Sequence, residues 1–151
     1  MKLNRSTDMA LRIAMLAAVA PGRTTVDELA ERLALPRSHV AKVVQRLQHL
    51  GVLVTIRGRA GGVAIAEAAG DLTVGAVVRV FEGDDEVVPC EQTACPLAVD
   101  CRLRGQLRRA QAAFLAVLDE TRLADLVDGT AGPLLLTLGP RPTPPPAALP
   151  L

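Results

Sequence analysis

Residues 25–66 are punctuated so closely that few architectures accept them. Thr25-Val-Asp-Glu28 matches a capping box, in which the threonine hydroxyl and the glutamate carboxylate satisfy backbone N–H groups at a helix start. The helix it opens is short, because Leu35-Pro36 breaks it near Ala34 and places Pro36 as the first residue of the next helix. That helix is predicted to run to Leu50 and to stop at Gly51, a residue type suited to a C-terminal cap. A β-branched run, Val52-Leu-Val-Thr-Ile56, then a turn, Arg57-Gly-Arg-Ala-Gly-Gly62, and a second run, Val63-Ala-Ile-Ala66, read as a β-hairpin. Two helices joined by a tight turn and followed by a glycine-rich basic hairpin have the order of a winged helix–turn–helix.

The flanking segments are helical in pattern. Residues 5–20 carry apolar positions at Met9, Ile13 and Leu16, with Asn4 or Ser6 as the N-cap and a turn at Pro21-Gly22. Thr73 is placed to cap a short helix through Phe81 that ends near Gly83. From Arg102 a long helix shows Leu103, Leu107, Ala110, Phe114 and Val117/Leu118 near a heptad step, and a last short helix is expected between Thr121 and Val127. The fold class expected is mainly α with a small β-hairpin wing. Its parts are a winged helix–turn–helix over 1–83, a cysteine-bearing loop over 84–101, a long helix region over 102–127 and a disordered Pro-rich tail over 128–151.

Charge divides the chain. Residues 1–66 carry ten Lys/Arg against four Asp/Glu, a balance of +6; residues 67–151 carry seven against twelve, a balance of −5, and together they give the net +1. A basic half points to a polyanionic partner. In the third helix Val40, Val43, Val44, Leu47 and Leu50 form an apolar stripe, while Ser38, His39, Lys42, Gln45, Arg46 and His49 occupy the opposite face. Entry of such a helix into the DNA major groove would bring Arg37, Ser38, His39, Lys42, Gln45 and Arg46 to the duplex. Arg57, Gly58 and Arg59 of the wing would meet phosphates or the minor groove, the glycine allowing close backbone approach. Phe81 and Phe114 are the only aromatic residues, which counts against a stacking platform for single strands. No nucleophile–base pair, acid/base dyad or phosphate-cradling loop stands outside this motif, so an enzyme is not expected. Met9 to Ala20 is apolar but short and interrupted by Arg12, which predicts a cytoplasmic chain with no membrane partner.

The chain's three cysteines, Cys90, Cys95 and Cys101, lie in one acidic stretch with the spacing C-x4-C-x5-C. A disulfide framework wants an even number and a tetrahedral metal site wants four ligands. Thiolates select soft metals, chiefly zinc and iron–sulfur clusters. The spacing leaves a cluster, a zinc site, buried thiols and a regulatory disulfide all open.

Taken together, several segments resemble one known family. They are Asp8-Met-Ala-Leu-Arg12, Ser38-His-Val-Ala-Lys-Val-Val44, Arg57-Gly-Arg-Ala-Gly-Gly62, Phe81-Glu-Gly83 and the three cysteines. Over roughly residues 1–127 the chain is similar to the Rrf family of winged-helix iron–sulfur transcription regulators, and most similar to its nitric-oxide-sensing repressors. The resemblance implies a homodimer paired through the long helix after the cysteines, and an iron–sulfur cluster, 4Fe–4S favoured over 2Fe–2S. In one branch of the family a histidine three residues beyond the last cysteine completes the ligand set; here that position is Arg104, and the chain's two histidines lie in the third helix. In the nitric-oxide-sensing branch an aspartate of the first helix ligates across the dimer, and Asp8 stands at the matching place, with Glu91 and Asp100 as local competitors. The function so implied is a repressor that leaves a palindromic double-stranded operator when nitric oxide attacks the cluster and displaces Asp8. The same fold sensing iron supply, cluster supply or redox state is the alternative, as is a zinc-stabilised winged-helix regulator.

Overall fold

The computed structural model describes residues 2–58, 61–83, 85–90, 95–97 and 99–139. The first helix, α1 (Arg5–Val19), packs against the helix–turn–helix, the hairpin and the later helices alike. Its N-cap is Asn4, whose side-chain oxygen accepts from the Thr7 N–H at 2.9 Å. Ile13 and Leu16 are completely buried on this helix, each contributing about 1.5–3 kcal/mol of apolar burial.

Helix α2 (Val26–Leu33) opens on the expected capping box: the Glu28 N–H donates to the Thr25 hydroxyl at 3.1 Å, and the Thr25 N–H donates to the Glu28 carboxylate at 2.7 Å. Ala34 ends it in the left-handed region, at φ 52°. Helix α3 (Arg37–His49) follows, with Pro36 one position before its first residue. Val40, Val43, Val44 and Leu47 are its buried stripe. Beyond the helix Gly51 adopts φ 78°, while its N–H reaches the Gln48 carbonyl at 3.0 Å and the Val52 N–H reaches the Leu47 carbonyl at 2.9 Å. These two bonds close the helix end as a Schellman motif, whose left-handed position suits glycine.

Strands β1 (Leu53–Ile56) and β2 (Gly62–Ile65) pair antiparallel, with Leu53 opposite Ile65 and Ile56 opposite Gly62. The hairpin is also fastened at its far edge. Thr24 and Val63 exchange two backbone hydrogen bonds of 2.8 Å, so residues before α2 act as a third, one-residue strand. Gly62 permits this: a Cβ there would lie 2.8 Å from the Thr24 carbonyl oxygen.

A 3-10 turn (Glu67–Asp71) leads to α4 (Val74–Glu82), capped by the Thr73 hydroxyl. Helix α5 (Arg102–Asp119) is the longest and buries no residue completely. Its C-terminal end is clamped to α4: Arg79 donates to both carboxylate oxygens of Asp119, at 2.7 and 2.5 Å. Asp119 comes so close that a Cβ on Gly75 would lie 2.0 Å from its Oδ1. The Arg79 guanidinium holds the Asp119 carboxyl below its ordinary value.

The expected disordered tail over 128–151 is a point of difference. A 3-10 turn (Ala124–Val127) leads to a further helix, α6 (Ala131–Thr137), which packs on α1. Pro133 sits in its first turn, where a missing N–H costs nothing. Arg32 of α2 holds its end, donating to the carbonyls of Leu135, Leu136 and Leu138 at 2.9, 3.3 and 3.1 Å. Residues 140–151, with the Pro-rich run, lie outside the described residues.

Candidate functional site

The outer face of α3 forms one side of the site. Arg37, Ser38, His39, Lys42, Gln45, Arg46 and His49 are all exposed, on the side opposite the buried valines and Leu47. Arg57 and Gly58 are exposed at the hairpin tip, and Gly58 adopts φ 121°; Arg59 lies outside the described residues. The hairpin is held in fixed relation to α3, because the Gln48 side chain donates to the Thr55 hydroxyl at 2.5 Å. Arg23 donates to the Gly61 carbonyl at 3.2 Å from the other side. Helix α3 and the hairpin are therefore joined by a direct side-chain bond.

The polar side chains of this face differ in what they are doing. Arg37 is ion-paired with Asp27 of α2, both groups two-thirds exposed. Such a surface pair is worth little and is easily exchanged for a phosphate partner. His49 Nδ1 meets the Gln45 carbonyl at 2.7 Å, within its own helix. Arg46 is on the outer face by its spacing, but its guanidinium turns back onto α4. It lies 4.1 Å from the centre of the Phe81 ring and donates to the Val80 carbonyl. A cation over a ring at such a surface contributes about 0.5–1 kcal/mol.

Beside α3 lies a hollow of about 300 Å³, lined by Arg5, Ser6 and Met9 of α1 and by His39, Lys42, Val43 and Arg46 of α3. It has three cationic side chains and no acidic one among its lining residues. A cation in the first turn of α1 opposes the helix dipole by about 0.3–1 kcal/mol, so Arg5 is placed there at a cost to the helix. The chemistry of this hollow suits an anionic oxygen such as a backbone phosphate.

The cysteines form a second candidate site. Cys90 is buried, Cys95 and Cys101 are half-buried, and none is in a disulfide. The Cys95 N–H donates to the Cys90 carbonyl at 3.2 Å. Cys101 is the N-cap of α5, its sulfur accepting from the Arg104 N–H at 3.5 Å. A sulfur at that position faces the positive end of an 18-residue helix, where negative charge is favoured. Residues 91–94 lie outside the described residues, and Glu91 with them.

Arg104 has a clear task. It grips Glu86 with two nitrogens, at 2.7 and 2.9 Å, with the two side chains only 18% and 28% exposed. Arg108 adds a longer contact to the same carboxylate at 3.6 Å. The Arg104 hydrogen bond holds the Glu86 carboxyl below its ordinary value. This fastens the segment leading into the cysteines onto the first turns of α5. The spacing of Arg104 from Cys101 is visible in the sequence, but nothing local there points to Glu86.

Asp8 stands apart from the cysteines of its own chain. It is on the exposed flank of α1, its side chain 48% exposed and paired with Arg12 one turn on, at 2.9 Å. Among the described residues no three His, Cys, Asp or Glu side chains come together as a metal-ligand group. The donor chemistry still fits a thiophilic centre: three thiols of one segment, at a helix N-terminus, outside any disulfide. A fourth donor is not supplied to them by the described residues of the same chain.

A second link was not evident from sequence. The Asn4 N–H and the Thr7 hydroxyl both donate to Glu82 Oε1, at 2.8 and 2.5 Å, and the Asn4 side-chain amide donates to the Phe81 carbonyl at 3.0 Å. The first turn of α1, which carries Asp8, is thus tied to the last turn of α4, with only Gly83 between Glu82 and the cysteine-bearing loop. Among the described residues no helix is long and apolar enough to cross a membrane.

Comparison with known proteins gives the family and the fold. The family model described as Rrf2, iron-dependent transcriptional regulator, matches residues 3–129. The chain is 46% identical over 147 residues to the HTH-type transcriptional repressor NsrR of Streptomyces coelicolor, covering 95% of this chain and 99% of that protein. It is 39% identical over 132 residues to the HTH-type transcriptional regulator NsrR of Bacillus subtilis, covering 84% and 90%. Among solved structures the fold is shared with the oxidized form of Staphylococcus aureus CymR, at 23% identity and a TM-score of 0.67 over 85% of this chain and 98% of that one.

Proposed function

Because this chain belongs to the Rrf2 family of transcriptional regulators, we propose that it is a repressor whose hold on DNA depends on an iron–sulfur cluster and is released by nitric oxide. One observation carries the reading. A basic helix and hairpin share a chain with three thiols of one segment, none of them in a disulfide, and one of them caps a long helix.

On the DNA side, the exposed residues Ser38, His39 and Lys42 of α3 enter the major groove, with Arg37 exchanging Asp27 for a phosphate. Arg57, Gly58 and Arg59 of the wing take the adjoining backbone or minor groove. The hollow beside Lys42 seats a further phosphate, held by Arg5 and Lys42, since the Arg46 guanidinium is engaged with α4. Two copies of the chain read a palindromic duplex with half-sites about one helical turn apart.

The second copy docks through α5. Leu103 and Val117 are 66% and 62% exposed on this helix, while Phe114, Leu115 and Leu118 touch the core on its inner side. Pairing of α5 with its symmetry mate covers the outer apolar positions, and it lets Asp8 of one copy approach the cysteines of the other.

Cys90, Cys95 and Cys101 would hold a cluster, 4Fe–4S in preference to 2Fe–2S, and Asp8 of the second copy would complete the ligand set. So held, the group would supply chemistry open to a small ligand such as nitric oxide, with the Asp8 carboxylate as its hard, replaceable oxygen donor. Asp8 has a resting partner within its own helix, since Arg12 waits 2.9 Å away. Without that role Asp8 would keep its pairing with Arg12, on the turn of α1 whose Arg5 and Ser6 line the phosphate hollow.

The test is anaerobic purification followed by titration with nitric oxide, with visible sulfur-to-iron absorbance and operator binding recorded together. Colour and operator binding are expected to fall in parallel. A colourless protein that contains zinc, or one indifferent to nitric oxide, overturns the reading.

A further inference from the structure

Among the described residues, the last turn of α4 is bonded by side chains from both α3 and α1, and the cysteine segment follows it in the chain. From α3, Arg46 reaches it through the Phe81 ring and the Val80 carbonyl. From α1, Asn4 and Thr7 reach it through the Phe81 carbonyl and the Glu82 carboxylate. Immediately after Glu82 the chain turns at Gly83, φ 83°, and enters the segment that carries the cysteines. Phe81 is almost fully buried at this junction.

We propose that Arg46 is a positioning residue rather than a contact to DNA: it sets the angle of α3 by gripping Val80 and Phe81, and passes displacement at the end of α4 to the reading helix. The inference rests on the function proposed above. Its physical basis is direction. The buried valines and Leu47 of α3 pack by apolar contact, which tolerates a small rotation of the helix. A guanidinium is a rigid planar fork, so a ring-face contact combined with a carbonyl hydrogen bond defines an orientation. Arg46 is also far from the end of α3 that enters the groove. From Ser38 to Arg46 the helix rises about 12 Å, so a small movement at Arg46 tilts the far end. The same turn of α4 is tied to the turn of α1 that carries Asp8, so loss of that ligand and movement in the cysteine segment both reach Arg46 through residues 80–82.

The experiment measures operator affinity against salt concentration, for cluster-free and anaerobically reconstituted protein. It compares wild type with Arg46→Ala, Phe81→Leu and Phe81→Tyr, using Lys42→Ala as the phosphate-contact control. Arg46→Ala and Phe81→Leu are expected to shrink the ratio between the two affinities about threefold or more, with the salt slope unchanged. Phe81→Tyr keeps the ring face and is expected to keep the wild-type ratio. Lys42→Ala lowers the salt slope by about one. A slope lowered by about one in Arg46→Ala, with an unaltered ratio in Phe81→Leu, makes Arg46 a phosphate contact and overturns the proposal. Wild-type ratios in both variants overturn it as well. Equal affinity of the two wild-type forms is a different failure: it removes the cluster-dependent function itself, and the coupling with it, before any variant is compared.

Discussion

Arg104 holds Glu86 by a two-pronged ion pair, Nε 2.7 Å from one carboxylate oxygen and a terminal nitrogen 2.9 Å from the other. The resemblance places a histidine ligand at this position in one branch of the family. An arginine is always protonated and only donates, so here it cannot be a ligand. It serves to anchor the cysteine segment.

The missing donor makes the first prediction. Asp8→Ala is expected to speed loss of visible absorbance in air by about tenfold, because one ligand is gone. Adding Arg104→His to that variant introduces a neutral nitrogen donor near Cys101 and is expected to slow the loss again. Equal decay of wild type and Asp8→Ala would sink the assignment of Asp8.

Contacts to DNA separate by their salt dependence. Lys42→Ala and Arg57→Ala are each expected to lower the slope of log affinity against log salt by about one and to weaken all sequences alike. Ser38→Ala should leave the slope alone and relax preference among operator variants. Binding isotherms at four or more salt concentrations check both.

Backbone geometry gives a prediction independent of any ligand. Gly51 at φ 78° joins α3 to the hairpin. Gly51→Ala forces a side chain into the left-handed region and is expected to cost about 1 kcal/mol. Thermal unfolding should show a melting temperature about 2–4 °C lower.

Acid stability follows from three carboxyls. Glu28 is held low by the Thr25 backbone N–H and hydroxyl, Glu86 by Arg104 and Asp119 by Arg79. A carboxyl lowered in the folded state contributes stability that is fully present above its unfolded value, about pH 4, and is lost as pH falls through the lower folded value. Denaturant unfolding between about pH 2 and 6 should show stability falling on the acid side. In Glu86→Gln and Asp119→Asn that fall is expected to be shallower; an unchanged acid limb in both variants contradicts these assignments.

What was legible in the sequence is what depends on near neighbours. The capping box of Thr25 and Glu28, the stop at Gly51 and the apolar stripe of α3 all involve residues at most four apart, and each stands as read. Links made by long side chains across the chain could not be read. Arg32 meets carbonyls more than a hundred residues on, and Arg46 meets Val80 and Phe81. In periodicity alone Arg46 is indistinguishable from Lys42, since only the packing of α4 beside α3 gives its guanidinium somewhere else to go. The helix at Ala131–Thr137 escaped because the Pro-rich composition around 142–146 marks the whole tail as disordered, whereas Pro133 occupies a first turn where proline is accepted.

The bonds from Arg32 to the carbonyls of Leu135, Leu136 and Leu138 also bear on the order of synthesis. The capping box and the turn to α3 need only residues 25–37, so a nascent chain can form them well before residues 131–138 exist. Arg32 gains its carbonyl partners only once α6 has been made, more than a hundred residues later. A truncation before residue 131 is therefore expected to lower the melting temperature in thermal unfolding, because Arg32 loses all three partners.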